Sequence, residues 1–207
     1  MLIDLTHPIA NHMPVYPGDP PVEVTETANV TTDGCQLHAL AIGTHSSTHI
    51  DAPSHMIAGA ASLDAIPLET LTGPGKLVES FELAALQAAA FVPGDIAVLY
   101  SGASERFHAA DYWTVFPALT TEAAEYLVAA GVKLVVLDTC SADNGDKSHP
   151  IHQILLGAGI PIIENATNMT ALRGTDFVIR ALPLRVDLDG APVRVVAETP
   201  DKGAIHG

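Results

Sequence analysis

Basic residues are scarce: Lys and Arg number 9 against 24 Asp and Glu, a formal charge of −15 over 207 residues. That deficit argues against nucleic acid or an anionic membrane as a partner, because both need a basic footprint. Long apolar runs are also missing, and none approaches the roughly 18 residues that a membrane helix needs. Cysteine occurs only twice, as Cys35 and Cys140. Two cysteines do not make a disulfide framework, and the opening MLIDLTHPI has neither the basic start nor the apolar stretch of an export signal. The expectation is a cytoplasmic chain with free thiols. Repeats, low-complexity tracts and linker-like runs are absent too. With 48% apolar and 16% charged residues, the composition is that of a compact globular protein, and the length suits one medium domain over 1–207.

Short β-type runs alternate with a few helical ones. Residues 2–5, 22–30 and 36–43 read as extended, and in the last Leu37, Ala39 and Ala41 alternate with Gln36, His38 and Leu40. Residues 76–80 and 96–100 are strand-like, the second introduced by the turn Pro93-Gly94-Asp95. Residues 82–90, rich in Ala and Leu, predict a helix. Thr120 or Thr121 is placed to cap a second helix that Gly131 ends, followed by the apolar strand 133–138. A further helix over 150–156, stopped by Gly157 and Gly159, leads into the buried strand 160–164. That alternation is β-α-β-like. The last third predicts strands at 177–180, 183–187 and 193–197, with Asp189-Gly190 at a hairpin turn. The fold class expected is α/β, a single mixed domain with a β-rich core.

Three of the ten histidines fall in one short segment, His45-Ser46-Ser47-Thr48-His49-Ile50-Asp51-Ala52-Pro53-Ser54-His55. His45 and His49 are four apart, so one helical turn or a tight loop brings both rings to one point. Asp51 lies two beyond His49, which in an extended stretch puts both side chains on one face. Two imidazoles and a carboxylate suit a catalytic divalent metal with positions left for water or substrate. Pro53 stiffens the turn and keeps His55 near the same locus. The competing reading is a set of ordinary surface or hydrogen-bonded core histidines.

This segment resembles the cyclase family of metal hydrolases, which includes bacterial kynurenine formamidases and isatin hydrolases. The family motif H-x-G-T-H-x-D-x-P-x-H is met at every fixed position except the glycine, which is Ser47. The stretches MPVYPGDPP, SLDAIPLETLTGPGKLV, VVLDTCSAD and HQILLGAGIPIIEN extend the resemblance over nearly the whole chain, with Tyr16 where formamidases carry tryptophan. It implies a swivelling β/β/α fold, and a metal site in which His45, His49 and Asp51 bind one ion. His152 and Glu164 complete a second position, with Asp51 and Glu164 shared. It also implies that His55 transfers protons, although a further ligand is the other reading of that residue. Zinc or manganese would serve, one or two ions per subunit, and the chain would form a homodimer or homotetramer. His149 is expected to lie outside the ligand set.

An amide carbonyl is a poor electrophile and neutral water a poor nucleophile. A bound divalent metal corrects both, by lowering the pKa of water to about 7 and withdrawing electrons from the carbonyl oxygen. The expected activity is hydrolysis of a small-molecule amide, foremost an N-formylkynurenine-like formamide. The alternatives are an isatin-like cyclic amide or imide, or metal binding without catalysis. Tyr16 is the candidate pocket wall. Cys140 reads as a small buried apolar side chain that could also approach the site.

Overall fold

Short runs such as IAVL and LVVL are apolar at every position, the pattern of strands covered on both faces. In the computed structural model, which describes residues 1–145 and 147–200, they become neighbours in one sheet. In chain order the elements begin with β1 (Leu2–Asp4), β2 (Glu23–Ala28), the short helix α1 (Val30–Asp33), β3 (Leu37–Ala41) and β4 (His49–Asp51). Next come β5 (Thr72–Val78), α2 (Leu83–Ala88), β6 (Ile96–Leu99), α3 (Thr121–Ala129) and β7 (Leu134–Leu137). The chain continues with α4 (Pro150–Gly157), β8 (Ile162–Glu164), β9 (Phe177–Pro183) and β10 (Gly190–Glu198). Of the domain expected over 1–207, residues 146 and 201–207 lie outside the described residues.

Strand order is β1-β10-β4-β8-β7-β6-β5-β9, and β9 also pairs with β10, so the sheet from β10 round to β9 closes on itself. Strands β5 to β8 run parallel, linked by the three longer helices, while the other pairings are antiparallel. This is the mixed α/β architecture expected. Strand periodicity divides the side chains between two cores. Ile96, Val98, Leu134, Val136, Ile50 and Ile163 fill the inside of the closed sheet together with Ile179 and Val195. Ala97, Leu99, Val135, Leu137 and Ile162 face outward and pack under Leu86, Leu127, Ile151 and Leu155 from the helices. No helix among the described residues is long and apolar enough to cross a membrane.

Thr120 is the N-cap of α3, accepting a hydrogen bond from the Ala123 backbone N–H at 3.2 Å. Other expectations need correcting. The strand expected over 183–187 does not form: β9 runs through to Pro183, and the chain is irregular from there to Gly190. Leu182 and Leu184, at the end of β9 and just beyond it, are both exposed. Strand β5 begins earlier than expected because Gly73-Pro74-Gly75, which reads as a turn, pairs with β9. At Gly75 a Cβ would stand 2.2 Å from the Phe177 ring, so glycine lets that ring close over the strand. The 36–43 segment does form a strand, but β3 pairs only with β2 in a separate two-stranded hairpin, and every residue of β3 is exposed.

Candidate metal centre

Strand β4 is antiparallel to β8, and their register sets His49 opposite Glu164 and Asp51 opposite Ile162. Ile50 and Ile163 point into the closed sheet, so His49, Asp51 and Glu164 emerge on the other face, beneath α4. His152 reaches them from that helix. The residues 45–48 form a loop rather than a helical turn, and β4 then carries His49 and Asp51 on one face as the spacing predicts. His49, Asp51, His152 and Glu164 are all buried to within a few per cent, whereas the side chains of His45, His55 and Asp189 are 19%, 23% and 40% exposed. The centre is closed on the Glu164 side and open on the His45–His55 side.

Each of three imidazoles points one nitrogen inward and anchors the other. His49 Nε2 lies 3.3 Å from Asp51 Oδ1 and 3.5 Å from Glu164 Oε2, while its Nδ1–H donates to the Ser47 carbonyl at 3.0 Å. His152 Nε2 lies 3.2 Å from Glu164 Oε1 and 3.6 Å from Asp51 Oδ2, while its Nδ1–H donates to Asp143 Oδ2 at 2.5 Å. His45 Nδ1 lies 2.8 Å from Asp51 Oδ1, and its Nε2 is 2.8 Å from Asp189 Oδ2. Anchoring the outer nitrogen fixes the tautomer and aims the inner lone pair, as metal-binding histidines require. Asp51 Oδ2 is buried with no hydrogen-bond partner, a costly state for a carboxylate oxygen unless a cation is meant to meet it.

The electrostatics agree. Burial opposes a charged ring, but the Asp51 and Glu164 carboxylates outweigh it and push His49 up to about 10. Burial is likewise outweighed at His152, where Asp143, Asp51 and Glu164 push the ring up to about 12. Asp51 is held well below the usual carboxylate range by His152, His45 and His49, against the penalty of its burial. Imidazolium protons thus occupy the place where a cation would neutralise two buried carboxylates. The donor set fits a divalent metal: His49, Asp51 and Glu164 bring their ligand atoms within 4.8 Å of one another, and so do His45, Asp51 and His55.

Asp51 is common to both groups, one of which also holds His49 and Glu164 and the other His45 and His55. The His45 and His55 rings lie 4.0 Å apart. Burial lowers the His55 ring below its usual value despite the Asp51 charge, so it is neutral near pH 7. His149 precedes α4 with φ of 47° and packs edge-on to His152, the ring centres 5.8 Å apart. Its ligand atoms also come within the same 4.8 Å reach of Asp143 and His152. Cys140 is buried against Tyr112, Phe107 and Met13, and its thiol is pushed up to about 12, first by burial and then by Glu164. Tyr16 is partly exposed and meets Trp113 edge-on, the ring centres 6.4 Å apart. Burial raises its phenol above the usual value, and neighbouring groups, Glu164 among them, add to that.

Sequence reasoning missed four contributors. Asp143 accepts from His152 Nδ1 and from the backbone N–H groups of Ile151 and His152, so it both caps α4 and steers the ring. Asp189 reads in the sequence only as a turn residue, yet its carboxylate meets His45. Asn165, at φ of 55°, donates from Nδ2 to the same Ser47 carbonyl at 3.0 Å and accepts from the Tyr112 hydroxyl at 2.7 Å. Trp113 stands beside Tyr16. Ser47, where the family motif has glycine, has a φ of 61°, a region that disfavours any side chain. Its hydroxyl donates to the His7 carbonyl at 3.0 Å, a compensation glycine would lack.

Asp143→Asn keeps an acceptor at the helix end but removes the charge facing His152. Zinc affinity, measured by competition with a chelating dye, is expected to weaken about 10–100-fold with helix content unchanged. Unaltered affinity would show that Asp143 serves α4 alone.

The Cyclase family model matches residues 3–144, well over half the chain. A kynurenine formamidase from Bordetella avium is 30% identical, covering 94% of this chain and 96% of its own length. One from Salinibacter ruber is 33% identical, covering 97% and 99%. Among solved structures, one described as a predicted metal-dependent hydrolase from Bacillus stearothermophilus is 28% identical, with 95% and 97% covered and a TM-score of 0.79. Isatin hydrolase A from Labrenzia aggregata superposes with a TM-score of 0.83 over 95% and 93% of the two chains, at 24% identity, a likeness of fold. By the extent of the family match and these full-length similarities, the chain belongs to the Cyclase family.

Proposed function

We propose that this protein is a metal-dependent hydrolase of a small amide, an arylformamidase acting on formamides of the N-formylkynurenine kind. The observation that carries the reading is the inward convergence of His45, His49 and His152 on the buried Asp51 and Glu164. The full-length similarity to kynurenine formamidases supports the choice of a formamide over a cyclic amide. The ligands proposed are His45, His49, Asp51, His152 and Glu164, holding one or two ions of zinc or manganese, since mixed imidazole and carboxylate donors suit either. When bound, a divalent ion supplies Lewis acidity, bringing the pKa of water toward neutrality and polarising the amide carbonyl.

The chain's own residues do the rest. Asp51 and Glu164 fix the charge of the centre, and the anchored outer nitrogens hold its geometry. His55, neutral and on the open side, takes a proton from water and delivers it to the departing amine nitrogen. Tyr16 and Trp113, in edge-on contact with each other, are the aromatic surface assigned to a flat aryl group. The free state of Cys35 and Cys140 supports a cytoplasmic location.

The test is hydrolysis of N-formylkynurenine and of isatin, with products identified, before and after chelation and after metal is restored. Formate release that is lost on chelation and regained with metal is expected. His49→Ala should lose metal and turnover together. His55→Ala should keep its metal and lose turnover by about 10²–10⁴-fold. Full activity in His55→Ala would remove it from proton transfer, and isatin hydrolysis without formate release would favour the cyclic amide.

A homodimer or homotetramer is part of the same proposal. An isolated two-stranded hairpin is marginal in water, yet β2 and β3 stand with Leu37 and Leu40 more than half exposed. At its base lies a cavity of about 570 Å³ lined by Ile9, Leu40, Ile42, Leu184 and Pro192. A second copy covering this apolar surface accounts for both. Light scattering is expected to give a multiple of the chain mass, reduced to the single chain in Leu37→Glu/Leu40→Glu. A monomeric parent protein at micromolar concentration would contradict the assembly.

A further inference from the structure

Asp189 comes from the far end of the sequence, yet one of its oxygens touches two histidines of the 45–55 segment. Oδ2 lies 2.8 Å from His45 Nε2 and 3.3 Å from His55 Nδ1. We propose that Asp189 is a positioning residue that couples a metal-binding imidazole to the proton-carrying one through this shared carboxylate oxygen. The inference rests on the ligand role of His45 and the proton-transfer role of His55 proposed above.

An ionised carboxylate only accepts hydrogen bonds, so both facing nitrogens must carry protons. His45 Nδ1 now shares a proton with Asp51 Oδ1 at 2.8 Å, and once a cation displaces that proton this nitrogen offers its lone pair inward while Nε2–H stays on Asp189. In a neutral His55 ring the proton sits on Nδ1, and the basic lone pair is on Nε2. The carboxylate therefore selects the tautomer of both rings at once. The two rings are packed closely enough, 4.0 Å between centres, for one oxygen to serve both.

The position is built, not a chance encounter on the surface. The Asp189 carbonyl accepts from the Ala52 N–H at 2.8 Å, and Gly190 is registered opposite Asp51. At Gly190 a Cβ would stand 2.6 Å from the Ile50 carbonyl oxygen and 3.1 Å from His45 Cε1. Glycine there lets β10 close against β4, and that approach delivers the Asp189 side chain to the two rings. The simpler alternative is a turn carboxylate drawn in by the general charge of the histidines. Asp187, exposed in the same irregular segment, is the control for that alternative.

The test uses zinc-loaded protein and ¹⁵N NMR of the histidine rings without substrate, together with zinc affinity and steady-state kinetics. In the parent protein, His55 is expected to carry its proton on Nδ1. In Asp189→Ala that preference disappears and the zinc dissociation constant rises about 10–100-fold. With formylkynurenine, kcat falls while KM changes little. Asp187→Ala should match the parent in all three. An unchanged His55 tautomer in Asp189→Ala overturns the inference, whatever the metal affinity does. If the parent protein hydrolyses nothing in the panel, the assigned reaction fails, while the NMR and zinc measurements still decide the role of Asp189.

Discussion

Two carboxylates, Asp51 and Glu164, are buried side by side on strands whose other face fills an apolar core. Removing an anion from water costs several kcal/mol even after relaxation, and two together repel each other. A fold that keeps them there must supply positive charge at the same point. The three imidazoles that converge on the pair, and the carboxylates and carbonyl that hold those imidazoles, meet that requirement. Protons meet it in the metal-free protein, where His49 and His152 are held charged. A divalent cation meets it with stronger field and fewer groups, and must displace those protons to bind.

The scaffold follows from the same constraint. Ligands separated by more than a hundred residues come together because β4 lies antiparallel beside β8, at the end of the parallel run β5 to β8. The closed sheet gives these strands an apolar inner face, and the helices cover most of the outer one. The centre occupies the place on that outer face between the first turn of α4 and the short 3-10 turn Pro53–His55. Rigid strands therefore carry His49, Asp51 and Glu164, while His45, His55 and Asp189 sit on connecting segments at the open side.

Legibility in the sequence followed the range of each interaction. His49 and Asp51 could be placed on one face because a two-residue spacing in a strand is a local rule. The N-cap at Thr120 and the doubly covered strands β6 and β7 were equally local. Glu164 and His152 could be nominated only through resemblance, since the register that sets Glu164 opposite His49 is not written in any spacing. Asp143 carried a faint signal as an acidic residue ahead of the helix bearing His152. Asp189 was hidden by its neighbour, because Asp-Gly between strands reads fully as a hairpin turn. The misplaced strand over 183–187 arose from the same limit. A strand needs a partner, and among the described residues no ladder pairing includes residues 184–189.

The most direct test of the account is anomalous diffraction at the zinc edge from crystals grown after chelation and reloading. The account predicts a zinc peak enclosed by His49 Nε2, Asp51 and Glu164, with His45 Nε2 still bonded to Asp189 and His152 Nδ1 to Asp143. Zinc bound only at surface histidines such as His12 or His38, with the Asp51–Glu164 pair still holding protonated rings, would contradict it.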